Sequence, residues 1–297
     1  MKSYDKLLGA FLGVATGDAL GAALEFMSAQ EIQRKHGLVR EKIGGGWLRV
    51  KPGEITDDTQ MSLAVAEGIA EAPDDPIPAI GRRFIAWYDS SPKDIGNCCR
   101  AVLSQAKAAR TDTTEEWLKV AHRVHEATGG QTAGNGALMR TIYPALWYNE
   151  SAGEIAGQIG RMTHYHPHSD RLVVAYTTAV ADLVRHNYAP AEAKKVLASH
   201  MEAVSDLLDV DLPIPDGYAP HSLICALKGT YETDSFEEAL IAVVNLGGDT
   251  DTIGAIAGGL AGAIYGAKAL PAKWLEQLDK TAVADITRLA KAAMENN

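Results

Sequence analysis

Glycine recurs every fourth residue in two places: Gly9, Gly13, Gly17 and Gly21 near the start, and Gly254, Gly258, Gly262 and Gly266 near the end. That period lines one face of a helix. Each glycine inside a helix costs about 1 kcal/mol relative to alanine. A stripe of four makes sense where another backbone packs closely. Both stripes are therefore expected at the protein centre, where the two faces can meet. A membrane-dimer helix carries a similar signature. The apolar run from Ile253 to Ala267 is short for a bilayer span, however, and Asp251 sits at its start.

Two acidic stretches, far apart in the chain, each precede an apolar helical pattern. They are Thr56-Asp57-Asp58-Thr59 and Gly247-Gly248-Asp249-Thr250-Asp251-Thr252. Buried carboxylates need partners. Each stretch alone reads equally well as an N-cap with acids favoured by the helix dipole. The two together favour cations held by carboxylate and hydroxyl oxygens, which suit Mg²⁺ or Mn²⁺ better than Zn²⁺.

A net charge of −10 disfavours a nucleic-acid partner. A hydrophobic content of 46% is ample for a core, and 28 glycines against four phenylalanines predict small, closely packed elements. Cys98, Cys99 and Cys225 form no disulfide framework and no zinc spacing; the adjacent pair is expected on a helix, partly buried. The segment Met1-Lys2-Ser3-Tyr4-Asp5-Lys6 leads into an apolar stretch without a signal-peptide cleavage site. The expectation is a soluble cytoplasmic protein with no transmembrane segment.

Along the chain the patterns predict helices over 4–24, 28–35, 58–70, 79–88, 137–147, 151–163, 168–186, 190–208, 219–229, 235–245, 251–267 and 279–295. Two more are expected from Ser90-Ser91-Pro92, carrying Asp94 and Asn97 on one face, and from Thr113. Pro76 and Pro78 read as an interruption. Residues 36–57 form a long loop with Gly44-Gly45-Gly46 and Pro52-Gly53 as breakers, and its length suggests a function. The fold class is all-α, a single compact multi-helix domain over residues 1–297.

Asp18 and Glu25 are two turns apart and share a face of the first helix. Asp18, amid small residues, reads as a buried acid met by a base or a capping group. Glu25 lies near the helix end and can reach a cleft. The glycine-rich turn 129–136 can present N–H groups to a phosphate, although alone it reads as an ordinary loop. Arg140 is expected to bridge helix ends. His164-Tyr165-His166-Pro167-His168 with Asp170 lacks a helical HExxH and reads as a helix–helix junction.

Taken together, the chain resembles the ADP-ribosylglycohydrolase family. The matches are Gly17-Asp18-Ala19-Leu20-Gly21 with Glu25, Thr56-Asp57-Asp58-Thr59-Gln60-Met61, Gly134-Asn135-Gly136-Ala137-Leu138-Met139-Arg140, Thr163-His164, and Gly247-Gly248-Asp249-Thr250-Asp251-Thr252. Their order and spacing fit over nearly the whole chain. The resemblance implies an all-α fold with a dinuclear Mn²⁺ or Mg²⁺ centre in a central cleft. It puts Thr56, Asp57, Asp58, Asp249, Asp251 and Thr252 at the metals, and Glu25 beside them. Asn135 and Gly136 match a loop near the ADP-ribose phosphates, and His164 a ligand-side histidine. Asp94 and Asn97 match residues near the ribose and the departing guanidine.

Within the family the size, the short N-terminus and Asp94-Ile95-Gly96-Asn97 resemble bacterial enzymes that free an arginine of the nitrogenase iron protein (dinitrogenase reductase) from ADP-ribose. That resemblance also implies a PII-type signalling protein and an ammonium channel as partners, with reversible membrane association through a partner. The expected roles follow. Glu25 or a metal-bound aspartate such as Asp57 takes the proton of the attacking water, and Asp94 serves the leaving group. A ring-opening route with Asp94 protonating the ribose oxygen fits equally. Other readings are a serine, acetyl-ester or nucleic-acid-end linkage, a catalytically silent ADP-ribose-binding protein, or a generic phosphohydrolase.

Overall fold

The computed structural model describes residues 3–296. Its axis is a pair of antiparallel helices, Tyr4–Gly21 and Thr250–Tyr265, buried almost throughout. The glycine stripes are what let them touch. A Cβ on Gly13 would lie 2.0 Å from Gly258 O, and one on Gly17 would lie 1.9 Å from Gly254 O. Such distances leave no room for any side chain. The same ladder continues from Gly9 against Gly262 to Gly21 against Thr250. The register is thus set by backbone contact, and it brings the end of the first helix to the start of the second.

Around this pair pack Asp57–Glu71, Pro167–Arg185, Ala219–Glu232, Phe236–Val244 and Lys280–Glu295. One contiguous apolar core reaches from Leu7 to Ala293. Among the described residues there is no strand, only isolated bridges such as Ser28 to Gly247. The fold is all-α, as the sequence predicts. Ser28 and Glu31 close a capping box on Ala29–His36, and Thr113 and Glu116 close another on Thr114–Ala127. No helix among the described residues is long and apolar enough to cross a membrane. Met1 and Lys2 of the N-terminal reading lie outside the described residues.

Several local expectations are corrected. The first helix stops at Gly21, where the chain tightens: Leu24 N–H bonds Gly21 O at 2.7 Å, and Thr250 Oγ1 donates to the same oxygen at 2.9 Å; Glu25 therefore lies in the following turn and not on a helix face shared with Asp18. Pro76 and Pro78 do not interrupt; they open the helix Pro76–Asp89, where a missing N–H costs nothing. Asp94 is in a loop, and the next helix begins at Asn97. Ser91 is left-handed at φ 56° before Pro92, and Asp94 Oδ1 takes the N–H of Ile95 at 2.7 Å, both of which compete with a helical turn. The segment 137–147 is split into a 3₁₀ turn, Asn135–Arg140, and a short helix, Ile142–Trp147. Pro144 has no N–H to give to the carbonyl of Arg140, so one ladder cannot run through. The segment 190–208 likewise ends its long helix at Met201 and tightens into a 3₁₀ turn, Glu202–Val204.

Candidate active site

The carboxyl end of the first helix, the start of Asp57–Glu71, the start of Asn97–Ala109 and the start of Thr250–Tyr265 meet around one cleft of about 710 Å³. Three helix N-termini converge there, and each carries partial positive charge that offsets acidic side chains. Glu25, Asp57, Asp94, Asp249, Asp251 and Thr252 line the cleft. So do Asn97, Asn135, Gly136 and His164. A second cavity of about 680 Å³, beside Met201, Leu227 and Tyr231, holds none of the expected residues.

Thr56 and Asp249 occupy the N-cap positions of their helices, yet neither side chain caps its own helix. This weakens the reading of these stretches as ordinary caps. Capping of Asp57–Glu71 falls to Asp18, which is wholly buried. Its carboxylate accepts the N–H groups of Thr56 and Thr59, at 3.1 and 3.2 Å, and both hydroxyls. The expected capping partner of Asp18 is therefore the first acidic stretch, Thr56 to Thr59. Thr56 and Asp58 lie one layer behind the cleft surface, Thr56 against a small side cavity.

Oxygens of Glu25, Asp94 and Asp251 lie within 4.8 Å of one another. Burial pushes the Glu25 carboxyl up to about 8; the indole of Trp47, donating at 2.6 Å, opposes this, while Asp94, Asp249 and Asp57 add to the rise. Burial likewise raises Asp57, Asp58 and Asp251 well above the carboxylate range, with neighbouring carboxylates adding to it. Asp58 Oδ1 is buried and has no hydrogen-bond partner among the described residues. So many carboxylates in one buried group cannot all ionise without positive charge. The all-oxygen donor set and the orphaned oxygen both fit a divalent cation of the Mg²⁺ or Mn²⁺ kind.

Asn135 ties the floor together. Its Nδ2 donates to Asp249 Oδ2 at 2.6 Å and to Ser222 Oγ at 2.9 Å, and its N–H bonds Gly217 O at 2.9 Å. His164 shares a 2.8 Å bond with Thr163 Oγ1 through Nδ1. Burial, aided by Arg140, lowers its imidazole to about 3, so the ring is neutral near pH 7. Gly136 must be small here, since a Cβ would sit 2.8 Å from His164 Cε1. Arg140 is fully buried and bonds Gly136 O, Ile159 O and Thr163 Oγ1, which is the bridging role expected of it. His166 caps the helix Pro167–Arg185, and Asp170 pairs with Arg161, consistent with a helix junction. Cys98 is half-buried and Cys99 buried on their helix.

The sequence reading missed Trp47 and Phe26, which also line the cleft, and the Pro215-Asp216-Gly217 turn. The only sequence signal for Trp47 was a tryptophan beside three glycines in an overlong loop.

A helical core that gathers carboxylates, an asparagine and a neutral imidazole at one cleft is the framework of a hydrolase. The chain belongs to the ADP-ribosylglycohydrolase family, whose model matches residues 1–297. It is 36% identical to the ADP-ribosyl-[dinitrogen reductase] glycohydrolase of Rhodospirillum rubrum, over 98% of this chain and 96% of that one. It is 27% identical to the ADP-ribosylarginine hydrolase Tri1 of Serratia proteamaculans (strain 568), over 93% of this chain and 76% of that one. A solved structure described as an ADP-ribosylglycohydrolase-related protein complex superposes with a TM-score of 0.81 at 30% identity, covering 99% of this chain and 98% of that one.

Proposed function

We propose that this hydrolase removes ADP-ribose from an arginine of a modified protein, the nitrogenase iron protein, and so reactivates it. The observation that carries the reading is the carboxylate group at one cleft, in which Glu25, Asp57 and Asp251 are buried and Asp94 and Asp249 half-buried. The R. rubrum relative, aligned over nearly the whole chain, supports the target. The name of the Serratia relative supports the arginine linkage.

Thr56, Asp57, Asp58, Asp249, Asp251 and Thr252 would hold two divalent cations, Mn²⁺ or Mg²⁺. Bound cations would acidify a water and hold the ribose hydroxyls. Glu25, or Asp57, takes the proton of the attacking water. Asp94 serves the leaving group, keeping a proton on the guanidine as it departs, because guanidine leaves poorly unless protonated. Asn135 and Gly136 receive the phosphates, His164 contacts the ligand as a neutral ring, and Asn97 binds at the ribose side. The enzyme acts in the cytoplasm, with a PII-type protein and an ammonium channel as regulatory partners.

The test is release of ADP-ribose from arginine-modified iron protein, with and without Mn²⁺, for the wild type and Asp249→Ala. Metal-dependent release that disappears in the variant supports site and linkage together. Release from a serine or ester substrate but not from arginine discards the nitrogenase assignment.

A further inference from the structure

Glu25 is buried, but its neighbour Phe26 is 67% exposed and Trp47 is 50% exposed. The two rings meet at the cleft, 5.3 Å between centroids and tilted by 38°. The fold holds both in place. Phe26 has φ +63°, a conformation that bulky residues avoid. It is fixed by its N–H to Gly248 O at 2.8 Å and by Gly248 N–H to Met27 O at 2.8 Å. Strain of this kind persists where the surroundings over-determine it, and it clusters at ligand sites. Trp47 stands in a turn closed by reciprocal Gly45–Val50 bonds of 2.8 and 2.9 Å. Gly46, at φ +67°, presses so close that a Cβ would lie 2.8 Å from Ala23 O. The indole N–H reaches Glu25 Oε2 at 2.6 Å, which anchors the ring by its edge and leaves half its surface open.

Beside the rings lie the oxygens of Glu25, Asp94 and Asp251. Aromatic faces next to carboxylates suit a guanidinium, a planar and weakly hydrated cation that stacks on rings and donates to carboxylates. A hydroxyl or acetate leaving group gains nothing from such a pair. We propose that Phe26 and Trp47 form the subsite for the guanidinium of the modified arginine, and so favour an arginine linkage over a neutral one. This rests on the arginine-linked reading above and adds the residues that would select it.

The test uses the full chain with Mn²⁺: wild type, Phe26→Leu, Trp47→Leu and Trp47→Phe. KM and kcat are measured on an ADP-ribosyl-arginine peptide, and the affinity for free ADP-ribose, which has no guanidinium, by calorimetry. Both leucine variants are expected to raise KM about 5- to 30-fold, the loss of one cation–π contact, with ADP-ribose affinity unchanged. Trp47→Phe keeps a ring and loses the N–H; it is expected to restore KM and lower kcat. Three outcomes overturn the proposal: KM unmoved in the leucine variants, ADP-ribose affinity falling with KM, or Trp47→Phe behaving like Trp47→Leu. A wild type that leaves arginine-linked ADP-ribose intact overturns the arginine reading and this subsite together. An active wild type with indifferent variants overturns the subsite alone.

Discussion

The carboxylate of Asp18 takes both the backbone N–H and the hydroxyl of Thr56, at 3.1 and 2.9 Å. One acid of the first helix thereby fixes the stretch that carries Asp57 and Asp58. Replacing it by alanine leaves buried donors of Thr56 and Thr59 unpaired, at about 1–3 kcal/mol each. Asp18→Ala is expected to lose about 3 kcal/mol or more in urea unfolding, and Asp18→Asn less. A loss below about 1 kcal/mol would show that the carboxylate is not the cap that matters.

Glycine to alanine inside a helix ordinarily stabilises by about 1 kcal/mol. Gly17→Ala is expected to do the opposite. Its Cβ would meet Gly254 O at 1.9 Å, and the obstacle is backbone that cannot rotate away. Separating the central helices should cost about 3 kcal/mol or more, at or beyond the upper end of ordinary overpacking. It should also weaken Mn²⁺ binding, because the same register holds Glu25 beside Asp251. Calorimetric melting and a Mn²⁺ titration check both; a stabilised variant would refute the close-packed stripe.

Lys42 is buried, and its Nζ donates to Trp274 O at 2.8 Å. Burial pushes its amine down to about 7 from 10.5, while Asp18 and Glu41 pull it up. Between those values the unfolded chain binds more protons than the folded one, so this group makes stability rise with pH. Below about pH 7 the folded protein carries a buried ammonium at full cost. Lys42→Met should therefore melt above the parent at pH 6, and the advantage should shrink by pH 10. An advantage that is constant with pH would mean the lysine is not neutral in the fold.

Gly136→Ala should displace His164, whose Cε1 would lie 2.8 Å from the new methyl. ADP-ribose affinity is expected to fall about tenfold or more, the order of one lost ligand hydrogen bond, while the melting temperature changes little. Isothermal titration gives the first number and a thermal melt the second. Equal affinity would remove His164 from the ligand side.

Much of the architecture was legible because periodic patterns are local. The four-residue glycine period predicted the central contact. The acidic stretches before apolar helices contain Asp57, Asp249, Asp251 and Thr252, which line the cleft, while Thr56 and Asp58 of the same stretches stand behind it. Phe26 and Trp47 were not legible: one owes its conformation to a bond with Gly248, the other to a turn seated on Ala23. The spacing of Asp94 to Asn97 fits a helix, but Ser91 and Pro92 break the turn and leave Asp94 in a loop.

Local patterns were enough for most of the helices, for the faces that must be backbone-close and for the residue types able to hold cations and move protons. Those follow from spacing and from the cost of burying charge. Tertiary structure alone decided that Asp18 caps a helix it does not belong to, that Trp47 reaches Glu25, and that Glu25, Asp94 and Asp251 stand within one group. Each of these depends on the register between distant segments. That register is set here by glycine backbones in contact, and no local pattern specifies where along the pair they meet.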